Sequence, residues 1–302
     1  MNRRHFLTLL ASSMVTLQSR FLWAATSHRQ WQEIPLWSGE PPGGGGPGGS
    51  MHTSAAGAQR HIAMPMLSVL SPDKPNGHGV LIAGGGGYKQ IQTGKESLPA
   101  ANWLVDRGYT AYVLSYRLPT EGWYDGAMVS LQDAQRALRI VREREKRVSV
   151  LGFSAGAHLL GMAVTRPDFH SYPARDKLDL IPASADAAAL IYPVITLEAP
   201  YTHTSTHRVL VGKNASTAEN TAWSVQQYVT PDAPPFFLVQ AEDDPVSDPH
   251  NSLIMFAACQ REHVPVEMYR YPNGGHGFGM GRPGTATIEW PERYAEWLIK
   301  HG

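Results

Sequence analysis

Residues 152–156 read Gly152-Phe153-Ser154-Ala155-Gly156 and lie between two stretches of opposite character. Val148-Ser149-Val150-Leu151 is apolar and rich in β-branched residues, as a strand is, and the small residues from Ala155 to Thr165 read as a helix. Between a strand and a helix, G-x-S-x-G forms a sharp turn that strains the serine backbone and lifts its hydroxyl clear of the sheet. Glycine on either side lets strand and helix approach closely. A serine held this way is suited to attack on an acyl carbon. It needs a base, because its hydroxyl is scarcely ionised at neutral pH. The pentapeptide alone is a weak signal, and three further features give it weight.

Upstream, the short apolar run Val80-Leu81-Ile82-Ala83 leads directly into Gly84-Gly85-Gly86-Gly87-Tyr88. Glycines after a strand leave backbone N–H groups unshielded, and such donors stabilise a developing oxyanion by about 3–4 kcal/mol each. One donor is expected from this loop and one from Ala155, the residue after the serine. Downstream, the strand Pro235–Ala241 ends in Glu242-Asp243-Asp244-Pro245, and the strand Val266–Tyr271 is followed by Asn273-Gly274-Gly275-His276-Gly277-Phe278-Gly279. The chain therefore offers nucleophile, acid and histidine in the order Ser, Asp, His. The histidine takes the serine proton, and the carboxylate fixes its tautomer and stabilises the imidazolium.

These groups need a scaffold. Strands and helices alternate from about residue 80 onward. Leu131, Ala134, Leu138 and Val141 recur at helical spacing with Asp133, Arg136 and Arg139 between them, and Trp290, Tyr294, Trp297 and Leu298 form a stripe near the C-terminus. Alternation of this kind predicts an α/β fold with a mostly parallel central sheet and helices on both faces. The region from about Thr196 to Val229 is the least regular and is expected to form a small cap bordering the cleft. A net charge of zero argues against a polyanionic partner such as nucleic acid. A single cysteine, Cys259 in an apolar helical stretch, precludes an internal disulfide and reads as a buried filler.

At the N-terminus, Arg3-Arg4 precede an apolar stretch from Phe6 to Leu17 that is short for a membrane span but suits a signal peptide. The pattern resembles a twin-arginine export signal, with cleavage near Trp23-Ala24-Ala25. Residues 1–25 are therefore expected to direct the protein to the periplasm or medium, with no stable membrane association after their removal. Residues 26–52, with the run from Pro41 to Gly49, read as an extended, irregular and mobile segment, and 53–302 as the catalytic domain.

Other candidates carry less. His203 and His207 are four apart, but the intervening threonines and serine disfavour helix and no nearby Glu completes a metal site. His250 follows the acidic run and reads as a helix-start residue. Trp123 and Tyr124 follow Gly122, where aromatics would suit a sugar, although packing accounts for them equally well.

Taken together, these residues resemble the α/β-hydrolase superfamily. More narrowly, they are similar to secreted carbohydrate esterases of the acetylxylan esterase and feruloyl/acetyl xylan esterase type. The similarity runs from Leu36-Trp37 to the C-terminus. It includes the glycine loop to Tyr88, residues 152–156, Tyr192-Pro193-Val194, Asp243-Asp244-Pro245-Val246, Asn251-Ser252 and residues 274–279. By position, the resemblance implies Ser154 as nucleophile, Asp244 as acid and His276 as base, with Gly86, Gly87 and Ala155 as oxyanion donors. Two departures stand out. Gly84 replaces the usual histidine or proline, and Val246-Ser247-Asp248-Pro249 replaces a Val-Val-Pro-Val run, so Asp243 and Asp248 are rival carboxylates. The resemblance implies hydrolysis of short acyl, chiefly acetyl, esters of oligosaccharides, polysaccharides or small molecules, with no metal or cofactor.

Some relatives are labelled xylanases, but glycoside cleavage usually needs two carboxylates facing each other across the sugar, where a serine elbow would be redundant. The alternatives are a serine peptidase of the prolyl oligopeptidase type and a catalytically silent carbohydrate-binding relative. Such peptidases add a large propeller domain, for which 302 residues leave no room. A silent relative would have no need of all three triad residues.

Overall fold

The computed structural model describes residues 29–302, so the proposed signal segment lies outside the described residues. In chain order the elements begin with β1 (Trp31–Pro35), a small ribbon of β2 (His52–Thr53) and β3 (Gln59–Arg60), β4 (Met66–Leu70), β5 (His78–Ala83), α1 (Leu98–Val105) and β6 (Thr110–Ser115). There follow α2 (Met128–Arg144), β7 (Arg147–Phe153), α3 (Ala155–Val164), β8 (Ala187–Ile191), and two short helices, α4 (Ser205–Leu210) and α5 (Thr217–Ala222). The chain ends with β9 (Phe236–Ala241), α6 (His250–Arg261), β10 (Val266–Tyr271) and α7 (Trp290–His301).

Eight strands form one sheet in the order β1-β4-β6-β5-β7-β8-β9-β10. From β6 to β10 neighbouring strands are parallel, while β4 and β1 run antiparallel at one edge. This is the α/β fold expected, with its edge extended. From sequence, residues 26–52 stand apart from the catalytic region, yet β1 lies within them and pairs with β4 from Trp31↔Leu70 to Pro35↔Met66. The glycine run is irregular, but it is packed: Gly45 bridges to Trp123, and a Cβ on Gly46 would fall 2.3 Å from the Trp123 ring.

Alternating side chains of each strand feed two apolar layers. Leu81 and Ala83 of β5 join residues of α2, α3 and α6 on one face, and Val80 and Ile82 join α1 and α7 on the other. Trp290, Tyr294, Trp297 and Leu298 are all buried there.

The polar residues in the middle of α2 do not face solvent. Asp133 is fully buried, Arg136 and Arg139 nearly so, because the chain around Leu36–Pro42 and the loop from Tyr172 to Ile181 cover that side. Arg117, buried after β6, donates from Nε and Nη2 to Asp133 at 2.9 and 2.8 Å, and Trp37 Nε1 donates to the same carboxylate at 2.9 Å. Removing one partner of such a pair leaves an uncompensated interior charge. Asp133→Ala is therefore expected to lose about 3–5 kcal/mol of unfolding free energy. The double change Arg117→Met with Asp133→Leu should cost less than the single one. Urea denaturation of the two variants checks this, and equal losses would contradict it.

Candidate active site

Ser154 occupies the turn between β7 and α3 with φ 52° and ψ −117°, a region that non-glycine residues avoid. The glycines beside it are required by contact. A Cβ on Gly156 would lie 2.2 Å from the Ala83 carbonyl oxygen, and one on Gly152 would lie 2.5 Å from the Ala157 Cα. The strained serine is held by its N–H to the Ile191 carbonyl at 2.9 Å and by the first bonds of α3.

Ser154 Oγ is 2.8 Å from Nε2 of His276, and Nδ1 of His276 is 2.7 Å from Oδ2 of Asp244. A carboxylate can only accept, so Nδ1 carries the proton and Nε2 is left to accept from the serine hydroxyl. The Asp244 side chain is fully buried and that of His276 is 16% exposed. Oδ1 of Asp244 accepts the N–H groups of Val246 and Ser247 at 2.8 and 2.9 Å, and Gln240 Nε2 donates to Oδ2 at 3.1 Å. The rival carboxylates point elsewhere: Asp243 accepts the Gly275 N–H at 2.7 Å, and Asp248 pairs with His250 at 2.8 Å.

Gly86 and Gly87 follow β5 with φ 118° and 63° and face the serine across a cavity of about 330 Å³. Neither they nor Ala155 donates its N–H to another group among the described residues. Gly85 differs, since its N–H goes to Glu96 at 2.6 Å. Gln92, Lys95 and Glu96 form one wall, Thr204, Ser205 and Thr206 another, and Val194 and Val246 the apolar remainder. The hydroxyl wall comes from the irregular region expected to cap the cleft. Its local structure departs from expectation, because Ser205–Leu210 is helical. The Thr204 side chain accepts the His207 N–H at 3.1 Å, so the threonine that disfavours a helix interior starts one as its N-cap.

His203 precedes that helix and is exposed, whereas His207 is buried and 2.9 Å from Asn220 Oδ1. They do not form a ligand pair. Among the described residues no group of three metal-ligating side chains occurs. His250 opens α6 and is exposed, and Cys259 is buried with its thiol pushed up to about 12 by burial. Trp123 is packed under the glycine run with the Arg117 guanidinium 4.9 Å from its ring, while Tyr124 is open to solvent.

The sequence reading passes over His158, one turn into α3. Its Nδ1 accepts the Tyr88 hydroxyl at 2.9 Å and its Nε2–H donates to the Trp223 carbonyl at 2.7 Å, joining the glycine loop to the cap. Burial pushes its pKa down to about 4, partly opposed by that carbonyl. The unfolded chain regains the ordinary value of 6.5, so between 6.5 and 4 it binds a proton the folded protein does not. Stability is therefore expected to fall as pH drops through that window and to level off below it. At pH 4.5 the loss from this group should reach about 2–3 kcal/mol relative to pH 7.5. His158→Gln should be less stable at pH 7.5 but show a flatter decline; equal declines in urea titrations would rule this out.

The BD-FAE family model matches residues 71–258. Endo-1,4-beta-xylanase B of Butyrivibrio fibrisolvens is 32% identical over 205 residues, which are 66% of this chain and 32% of that protein. An acetylxylan esterase of Xylanibacter ruminicola is 27% identical over 226 residues, 70% of this chain and 43% of that one. The chain thus spans less than half the length of either relative. Among solved structures, an acetyl ester-xyloside bifunctional hydrolase from Caldicellulosiruptor lactoaceticus superposes with a TM-score of 0.74 at 29% identity, covering 89% of this chain and 96% of that one. With more than half of its length matched by the family model and its elbow, sheet order and loops in α/β-hydrolase arrangement, the chain belongs to the BD-FAE family.

Proposed function

We propose that this protein is a serine carboxylic-ester hydrolase that removes short acyl groups, chiefly acetyl, from carbohydrate esters. The observation that carries the reading is the unbroken line from Ser154 Oγ through His276 to Asp244, opening on a small cavity of mixed polar and apolar lining. Ser154 attacks the ester carbonyl as its proton passes to Nε2 of His276, and Asp244 stabilises the imidazolium. The N–H groups of Gly86, Gly87 and Ala155 receive the negative oxygen. His276 then protonates the departing alcohol, and a water activated the same way releases the acid from the acyl-enzyme.

The cavity volume supports a small acyl group, and the Gln92, Lys95, Thr204, Ser205 and Thr206 side chains on its walls support a polar alcohol portion. Of the lining residues only Glu96 carries a carboxyl group, and two donors hold it, which supports ester rather than glycoside cleavage. The test is release of 4-nitrophenol from acetate, butyrate and octanoate esters and from a xyloside, followed by acetate release from acetylated xylan. kcat/KM is expected to fall at least about tenfold from acetate to octanoate, because each excess methylene meets a cavity too short for it. No turnover of the esters would overturn the reading.

Export through Arg3-Arg4 belongs to the same proposal, and fractionation of cells expressing the Arg3→Lys, Arg4→Lys variant tests it. Among the described residues no helix is long and apolar enough to cross a membrane.

A further inference from the structure

Glu96 is a buried carboxyl group with no part in the steps above. It lies in a single π-helical turn, Thr93–Ser97, ahead of α1, and only 4% of it is exposed where it borders the catalytic cavity. Its Oε2 accepts the Gly85 N–H at 2.6 Å, and its Oε1 accepts the Tyr192 hydroxyl at 2.9 Å. Gly85 directly precedes the two glycines with free N–H groups. It also abuts the nucleophile so closely that a Cβ would fall 2.7 Å from Ser154 Cβ.

Tyr192 leads in the other direction. Its backbone is held at φ 37°, uncommon for a bulky residue, just beyond β8. Its hydroxyl oxygen accepts the N–H of Gly279, three residues after His276, at 3.1 Å. Its ring stands edge-on to the His276 ring with centroids 5.0 Å apart. The loop bearing the donors and the loop bearing the base are thus joined through one carboxylate and one phenol.

The chemistry of the junction is specific. The Tyr192 oxygen already receives the Gly279 N–H, so its own proton is directed to Glu96, and Glu96 must accept on both oxygens at once. An ionised carboxyl group does this. A glutamine of the same shape cannot, because its amide nitrogen would confront either Gly85 N–H or the tyrosine hydroxyl, donor to donor. Burial raises the Glu96 carboxyl above the usual range, against the pull of these two hydrogen bonds. Burying an ionisable group here is costly, and an apolar residue would fill the space without that cost.

We propose that Glu96 is a positioning residue for ester hydrolysis: it sets the separation between the Gly86–Gly87 donors and the His276 loop, so that it favours the transition state over bound substrate. The role rests on the serine-esterase reading, and the experiment separates the two. Wild type, Ser154→Ala, Glu96→Gln, Tyr192→Phe and the Glu96→Gln, Tyr192→Phe double variant are assayed with 4-nitrophenyl acetate. Affinity for phenylboronic acid, whose serine adduct is tetrahedral, is measured for each, together with a thermal melt.

Glu96→Gln is expected to lower kcat roughly 10- to 100-fold with KM within about threefold, and to weaken boronate binding by a similar factor. Tyr192→Phe should lose less, and the double variant should be little worse than Glu96→Gln alone, since both act through one junction. If Glu96→Gln proves too unstable to assay, Tyr192→Phe must still show the joint loss of kcat and boronate affinity. A wild type that turns over the ester, a Ser154→Ala that does not, and a Glu96→Gln within twofold of wild type would overturn this role alone. So would a fall in kcat with boronate affinity unchanged. Ester turnover unaffected by Ser154→Ala would overturn the esterase reading, and this role with it.

Discussion

Ser154→Ala should lower kcat on 4-nitrophenyl acetate by roughly 10⁵–10⁶-fold, leaving only what the donor loop and binding supply. The size follows from the arrangement. In the proposed mechanism the attacking group is the hydroxyl 2.8 Å from His276 Nε2, and no other hydroxyl is hydrogen-bonded to that nitrogen among the described residues. Alanine keeps the strained turn and removes one oxygen from the cavity wall. The melting temperature should therefore stay within a few degrees of wild type, since the change touches no packing contact. Kinetics and a thermal melt on the same preparations decide the matter. Substantial turnover by a folded alanine variant would mean that the chemistry runs elsewhere.

Asp244→Asn should cost roughly 10⁴-fold in kcat, although it changes one atom. Oδ1 is held by the N–H groups of Val246 and Ser247, so the amide oxygen of asparagine must take that place. The NH₂ then occupies the Oδ2 position and faces Nδ1 of His276. That nitrogen becomes the acceptor, the ring proton moves to Nε2, and the base can no longer take the Ser154 proton. Asp243→Asn and Asp248→Asn should remain within about tenfold of wild type, because those carboxylates bond to Gly275 and His250 instead. Equal losses at all three positions would contradict the assignment of the acid.

The elements around the site were legible to different degrees. β5, β8 and β9, and β7 beyond Arg147, are buried on both faces and read as mainly apolar runs. β4, with half-buried Met66 and Ser68, and β1, largely exposed at the edge, lack that signal and were recognisable only by their pairing. Nothing local in α2 foretells that Arg117 and the chain from Leu36 to Pro42 come to cover Asp133, Arg136 and Arg139. At Thr204 the same residue type opposes a helix or starts one according to its position, which composition does not convey.

Ser154, His276 and the glycine loop stand out in the sequence because positive φ at Ser154, at Gly86 and Gly87, and at Gly275 and Gly277 beside His276 calls for glycine or small residues there. The constraint is local, so it is written in adjacent residues. That Asp244 rather than Asp243 or Asp248 reaches His276, the four donors that hold it, and the Glu96–Tyr192 and Tyr88–His158 links are visible only in the tertiary structure. Glu96 and Tyr192 are 96 positions apart, and Tyr88 and His158 are 70. Hydrogen bonds between such partners depend on where separate strands deliver their ends. That is set by the register and twist of the whole sheet, which no short stretch of sequence contains.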